Sequence, residues 1–145
     1  LSIRRQRQMC IRDRYLLDTN VWIDLERGSD EQVMSRCSVL PLSSICLSEI
    51  VLGELLYGAK RSREPELAQN SVENLVHGFP RVGIDSAVAQ AYAEIRSCLA
   101  ARGEIIGAND MWIAAQARAF GLTLVTANVD EFQRVQGVVV EDWRR

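Results

Sequence analysis

The 145 residues include one histidine, His77, and one lysine, Lys60. A Ser-His-Asp or Cys-His mechanism would rest wholly on His77, which stands before Gly78 at the expected end of a helix, so an ordinary helix-end role is the better reading. Cys10, Cys37, Cys46 and Cys98 are scattered without a C-x-x-C pair. That spacing argues against a zinc site, a disulfide framework or thiol chemistry. Gly-rich phosphate loops are missing as well. No apolar run approaches the roughly 20 residues that a membrane-spanning helix needs, and no secretory signal is visible. The expected address is the cytosol. There is no internal repeat and no low-complexity tract.

What is present suits a single folded domain, since 48% of the residues are apolar and a chain of this length can bury a substantial core. The first fourteen residues differ from the rest. Residues 1–14 carry Arg4, Arg5, Arg7, Arg12 and Arg14 against Asp13, with no clean periodicity. A basic nucleic-acid arm, an Arg-rich targeting peptide and a non-native read-through segment were weighed, and the last is favoured. Without that segment the net charge goes from −2 to −6. A nucleic-acid partner would then have to be met by a local patch and a metal, because the global field repels it.

Strands alternate with helices along 15–145. Tyr15 to Leu17, Ile45 to Leu47, Arg81 to Ile84, Leu122 to Thr126 and Val138 to Val140 read as strands. Helices are expected over Asn20 to Glu26, Asp30 to Cys37, Ser48 to Tyr57 (stopped by Gly58), Pro65 to His77, Ser86 to about Gly103, and Asp110 to Phe120. This order implies an α/β domain with a parallel sheet covered on both faces.

On that layout four acids gather near the carboxyl edge of the sheet, where open α/β folds place their chemistry. Asp18 closes the first strand. Glu54 interrupts the apolar stretch Ile50-Val51-Leu52-Gly53-Glu54-Leu55-Leu56-Tyr57, where a carboxylate is costly without a cation or donors. Asp110 stands in the first turn of its helix, and Glu131 follows the fourth strand. Taken singly, an Asp after a strand or before a helix is as readily a cap, and Glu49 reads as an ordinary first-turn acid. Together the four carboxylates would repel one another, and a bound divalent cation is the simplest remedy. Mg²⁺ takes oxygen ligands and is held by one or two carboxylates plus substrate phosphate, so Asp18 and Asp110 are the expected ligands. Glu54 would orient or deprotonate water, and Glu131 or Asn128 would complete the rim. Lys60, Arg61 and Arg63 form a small basic step that could meet phosphates, although a solvated helix end has the same composition.

With these residues in view, the chain resembles PIN-domain ribonucleases, and more narrowly the VapC toxins of bacterial type II toxin–antitoxin pairs. The resemblance covers 15–145. It rests on Leu16-Leu17-Asp18-Thr19-Asn20, Leu52-Gly53-Glu54-Leu55-Leu56-Tyr57-Gly58-Ala59, Ile106-Gly107-Ala108-Asn109-Asp110-Met111-Trp112-Ile113-Ala114-Ala115, Leu124-Val125-Thr126-Ala127-Asn128, and Glu131-Phe132 leading to Val140-Glu141-Asp142-Trp143. It implies a three-layer α/β/α fold, a homodimer or toxin–antitoxin hetero-oligomer, Mg²⁺- or Mn²⁺-dependent cleavage of structured RNA such as a tRNA or rRNA loop, and a small cognate antitoxin. It carries catalytic roles onto Asp18, Glu54, Asp110 and Glu131, with metal contacts at Asp18 and Asp110. Thr19, Asn20, Asn128, Lys60 and Arg61 are the expected substrate contacts. Asn128 falls where many relatives have an Asp, which leaves Glu131 to supply the fourth acid.

A phosphoacceptor receiver domain would need a late-strand lysine, and Lys60 is misplaced for that role. A dehalogenase-type phosphatase would show Asp-x-Asp where this chain has Asp18-Thr19-Asn20. The stronger rival is a catalytically silent PIN-like module whose acidic pocket holds an Arg-bearing protein partner, since such a pocket attracts guanidinium as readily as metal.

Overall fold

The computed structural model describes residues 14–144. The N-terminal extension expected from the sequence lies outside the described residues except for Arg14, whose carbonyl accepts from Thr123 N–H (3.0 Å) and whose guanidinium reaches Cys46 Sγ (3.3 Å).

Five strands, β1 (Tyr15–Leu17), β2 (Ile45–Ser48), β3 (Arg81–Val82), β4 (Thr123–Val125) and β5 (Val140–Glu141), form one sheet in the order β3-β2-β1-β4-β5. Every pairing is parallel. The helices are α1 (Thr19–Arg27), α2 (Glu31–Ser38), α3 (Glu49–Lys60), α4 (Pro65–Val76), α5 (Ser86–Ala101), α6 (Ala108–Phe120) and α7 (Val129–Phe132), with a 3₁₀ turn at Leu42–Ser44. The domain is the expected α/β/α sandwich. From β1 the chain builds outward through β2 to β3, then returns to place β4 on the other side of β1. The order therefore reverses between β1 and β4, and at such a switch point an open parallel sheet leaves a crevice at its carboxyl edge.

Capping residues fix the helix starts. Asp30 Oδ1 accepts from Gln32 and Val33 N–H, Ser48 Oγ from Ile50 and Val51 N–H, and Asp85 Oδ1 from Val88 N–H. Each satisfies donors that an isolated helix leaves open. Gly28 and Gly121 close α1 and α6 in the left-handed conformation that a side chain disfavours. One stop signal fails. Gly58 was expected to end α3, yet the helix continues to Lys60 because buried Ala59 keeps its last turn on the core, and an interior glycine costs only about 1 kcal/mol relative to alanine.

Small buried residues on α6 (Ala114, Ala115, Ala117) let it lie close to α5, which contributes Val88, Ala91, Ile95 and Leu99. Within this packing Gln116 of α6 is fully buried. Its Oε1 accepts from Ser48 Oγ (2.6 Å), and its Nε2 donates to the carbonyls of Val82 (3.1 Å) and Gly83 (3.0 Å). One amide thus pins α6 to the carboxyl ends of β2 and β3. At the far side Trp143 is 1% exposed, meets Tyr15 edge to face at 5.2 Å and donates from Nε1 to Glu141 (3.1 Å). This anchors the last residues against β1.

Candidate active site

Leu17 pairs with Val125, so the next residues, Asp18 and Thr126, stand level where β1 and β4 end. Asp18 N–H donates to Val125 O (2.9 Å), Thr19 N–H donates to Asp18 Oδ1 (2.8 Å), and the Thr126 hydroxyl donates to Asp18 Oδ2 (2.8 Å). Asn128 N–H in turn donates to Thr126 Oγ1 (3.0 Å). Asp18 is 9% exposed. Burial raises its carboxyl above the ordinary aspartate range, the bonds from Thr126 and Thr19 pull it back, and the charges of Glu54 and Glu131 push it up again.

Glu54, in the middle of α3, accepts on Oε2 from the Thr19 hydroxyl (2.5 Å) and on Oε1 from Asn109 Nδ2 (3.0 Å). This carboxylate therefore ties α1, α3 and α6 together. Glu131 of α7 accepts from Gly107 N–H (3.3 Å) and from Asn128 Nδ2. Asp110, in the first turn of α6, is half-buried, and its pKa is pushed up to about 7. Burial is the largest cause, followed by the charges of Asp18 and Glu131, a hydrogen bond with Glu131, and the charge of Glu54. Each of these causes favours the protonated form of Asp110, which a neighbouring cation would reverse.

All four acids foreseen at the sheet edge thus act on one another. Thr19 and Asn128, expected to touch substrate, hold Glu54 and Glu131 respectively, while Asn20 is exposed on α1. Lys60 and Arg61 are not drawn into the cluster; they lie at the far end of α3, six and seven residues beyond Glu54. Three contributors escaped sequence reading: Thr126, Asn109 and the Gly107 N–H. A hydroxyl residue directly after an apolar strand was the available signal for Thr126. Nothing local marks the other two.

Among the described residues none of the four acids is ion-paired with arginine or lysine. Nor, among those residues, do three acidic, Cys or His side chains already stand at ligand spacing around one point. Mg²⁺ does not need that, because it keeps several waters and takes only one or two protein carboxylates. Oxygen-only donors, an excess of negative charge and a carboxyl whose pKa is raised by burial and by its acidic neighbours together fit a hard divalent ion.

The PIN domain family model matches residues 15–138. The tRNA(fMet)-specific endonuclease VapC of Shigella flexneri is 37% identical over 130 residues, which span 90% of this chain and 98% of the relative. Among solved structures, DNA-bound VapBC from Salmonella typhimurium matches with a TM-score of 0.84 at 35% identity, covering 90% of this chain and 98% of that one. VapBC2 from Rickettsia felis, bound to a DNA fragment from its promoter, gives 0.81 at 30% identity, covering 89% and 98%. With the fold, the acidic edge and near full-length similarity in agreement, the chain belongs to the PIN domain family, within its VapC branch.

Proposed function

We propose that this protein is a toxin of a type II toxin–antitoxin pair, a cytoplasmic endoribonuclease that uses Mg²⁺, or Mn²⁺ in its place, and is neutralised by a small cognate antitoxin. The carrying observation is the meeting of Asp18, Glu54, Asp110 and Glu131 at the β1/β4 switch point, where no basic residue among the described ones pairs with them. Structured RNA is the substrate, and the names of the curated relatives point to tRNA(fMet) first. Two of the solved neighbours are VapBC structures, which supports an antitoxin partner, with the chain acting as a homodimer or in a toxin–antitoxin hetero-oligomer.

Asp18 and Asp110 would hold the ion, Asp18 because Thr126 and Thr19 fix both its oxygens, and Asp110 because a cation replaces its proton. When bound, Mg²⁺ polarises the phosphodiester and offsets charge developing in the transition state. Glu54 is held in place by two neutral donors, the Thr19 hydroxyl and the Asn109 amide, which suits it to orient the attacking water and accept its proton. Glu131, steadied by Gly107 N–H and Asn128, completes the rim.

The test is expression of the chain alone, with a candidate antitoxin, and as Asp18→Asn or Asp110→Asn, scoring growth and tRNA integrity. Arrest with cleavage, relieved by the antitoxin and by either substitution, is the expected outcome. Full Mg²⁺-dependent cleavage by either purified variant would remove that aspartate from the site. A well-folded wild type that binds its partner without ever cutting RNA would instead establish the silent module.

A further inference from the structure

The outer end of α3 carries residues that the acidic cluster does not use. Tyr57, Gly58 and Arg61 stand three, four and seven residues after Glu54, so they share a strip of helix surface leading away from the acids. Tyr57 is 62% exposed. The Arg61 guanidinium lies over one face of its ring at 5.5 Å from the centroid. Most of the Tyr57 side chain remains open to solvent. Gly58 has no atom within 4 Å of where a Cβ would stand, so the surface at that position is open.

The charge pattern is local. Among the described residues Lys60, Arg61 and Arg63 pair with no carboxylate, as is also true of Arg14, Arg27, Arg96 and Arg134, but only these three stand side by side along the chain. Three consecutive or near-consecutive cations without counter-ions among the described residues, beside an exposed ring with one of them over its face, have the composition of a single-strand binding step: a π-system for a base and cations for phosphates. An acidic peptide could use the cations but not the exposed ring. A nucleotide uses both.

We infer that Tyr57 and Arg61 form an RNA subsite next to the scissile position, with a nucleobase stacked on the exposed ring of Tyr57 and the adjoining phosphate held by Arg61 and Lys60. The inference rests on the nuclease reading and adds the direction in which the strand leaves the acidic cluster. Seven residues separate Glu54 from Arg61, or roughly 10 Å along the helix axis. That reach spans one to two nucleotides.

The experiment measures binding of a tRNA(fMet) transcript in the Asp110→Asn background and steady-state cleavage in the active background. Tyr57→Ala, Tyr57→Phe, Arg61→Gln and a charge-matched control, Arg144→Gln, are compared in both. Tyr57→Ala should weaken binding about tenfold and raise KM with little change in kcat, while Tyr57→Phe keeps the ring and stays near wild type. Arg61→Gln should lower the slope of log K against log salt by about 0.7 to 0.9, the loss of one phosphate contact. Arg144→Gln should change neither. Unchanged RNA affinity in Tyr57→Ala and Arg61→Gln, with the active background still cutting, would overturn the subsite and leave the nuclease intact. Loss of antitoxin neutralisation with RNA affinity unchanged would reassign the strip to a protein partner and overturn it equally. Failure of the active background to bind or cut RNA at all defeats the nuclease reading, and this inference with it.

Discussion

Removing the charge of Asp110 should make the metal-free protein more stable at pH 8, which is opposite to the usual effect of mutating an active, partly buried group. The carboxyl moves from 3.8 to about 7 on folding. A shift of that size corresponds to about 4 kcal/mol at 1.36 kcal/mol per unit, and solvent screening of a half-buried group reduces it to about 2 kcal/mol. The sign follows from proton linkage. Because the folded value is the higher one, the native state binds more protons between the two pKa values, so stability present at low pH is lost as pH rises toward about 7. Asp18, also raised, adds in the same direction. Asp110→Asn stays neutral throughout and escapes the penalty. In a domain of this size about 2 kcal/mol is worth roughly 4–8 °C in Tm. The assay is thermal unfolding in EDTA from pH 5.5 to 8, followed by titration with Mg²⁺. Wild type should lose Tm as pH rises and regain it with Mg²⁺, more at pH 8 than at pH 5.5, where protons compete for the carboxylates. Asp110→Asn should give a flatter profile, a higher metal-free Tm at pH 8 and a smaller response to Mg²⁺. A wild-type Tm that climbs from pH 5.5 to 8 without metal, or an Asp110→Asn protein less stable than wild type at pH 8, would refute the reasoning.

Two other perturbations probe the supports of the site. Thr126→Val keeps the shape but deletes a donor that lowers the Asp18 pKa, so the acid limb of the pH–rate profile should move to higher pH while the circular dichroism spectrum stays native; an unmoved limb would show that this hydroxyl does not tune Asp18. Gln116→Ala removes the amide that bridges Ser48, Val82 and Gly83, leaving a cavity and unpaired buried groups that should cost about 3 kcal/mol. Chemical denaturation measures it, and a loss below about 1 kcal/mol would mean water or a neighbour takes over those bonds.

Much of the site was legible because its acids violate local patterns. Glu54 stands out in an apolar helix, and Asp18 closes an apolar strand. Their supports were not legible in the same way. The Thr126 hydroxyl becomes meaningful only once Leu17 is known to lie opposite Val125, a pairing that no local pattern encodes. Asn109 looks like a helix-start residue and is one, yet its amide reaches across to α3. The fold's alternation of strands and helices was readable, but its ends were less so. Gly58 is tolerated inside α3, the short α7 went unforeseen, and β5 spans Val140–Glu141 rather than starting at Val138, since Glu141 O still receives Thr126 N–H.

The sheet order also sets when the acids become competent. Asp18 leaves the ribosome long before its partners, because its carboxylate and its backbone N–H are anchored by Thr126 and Val125, more than a hundred residues downstream. A nascent chain halted before that point keeps one side of its central strand without a neighbour and lacks the group that aims its leading aspartate. Distant pairings of this kind form late and slowly. On the nuclease reading, a ribosome would have to pass Thr126 before the product could harm its own cell, and fragments ending short of it would be inert.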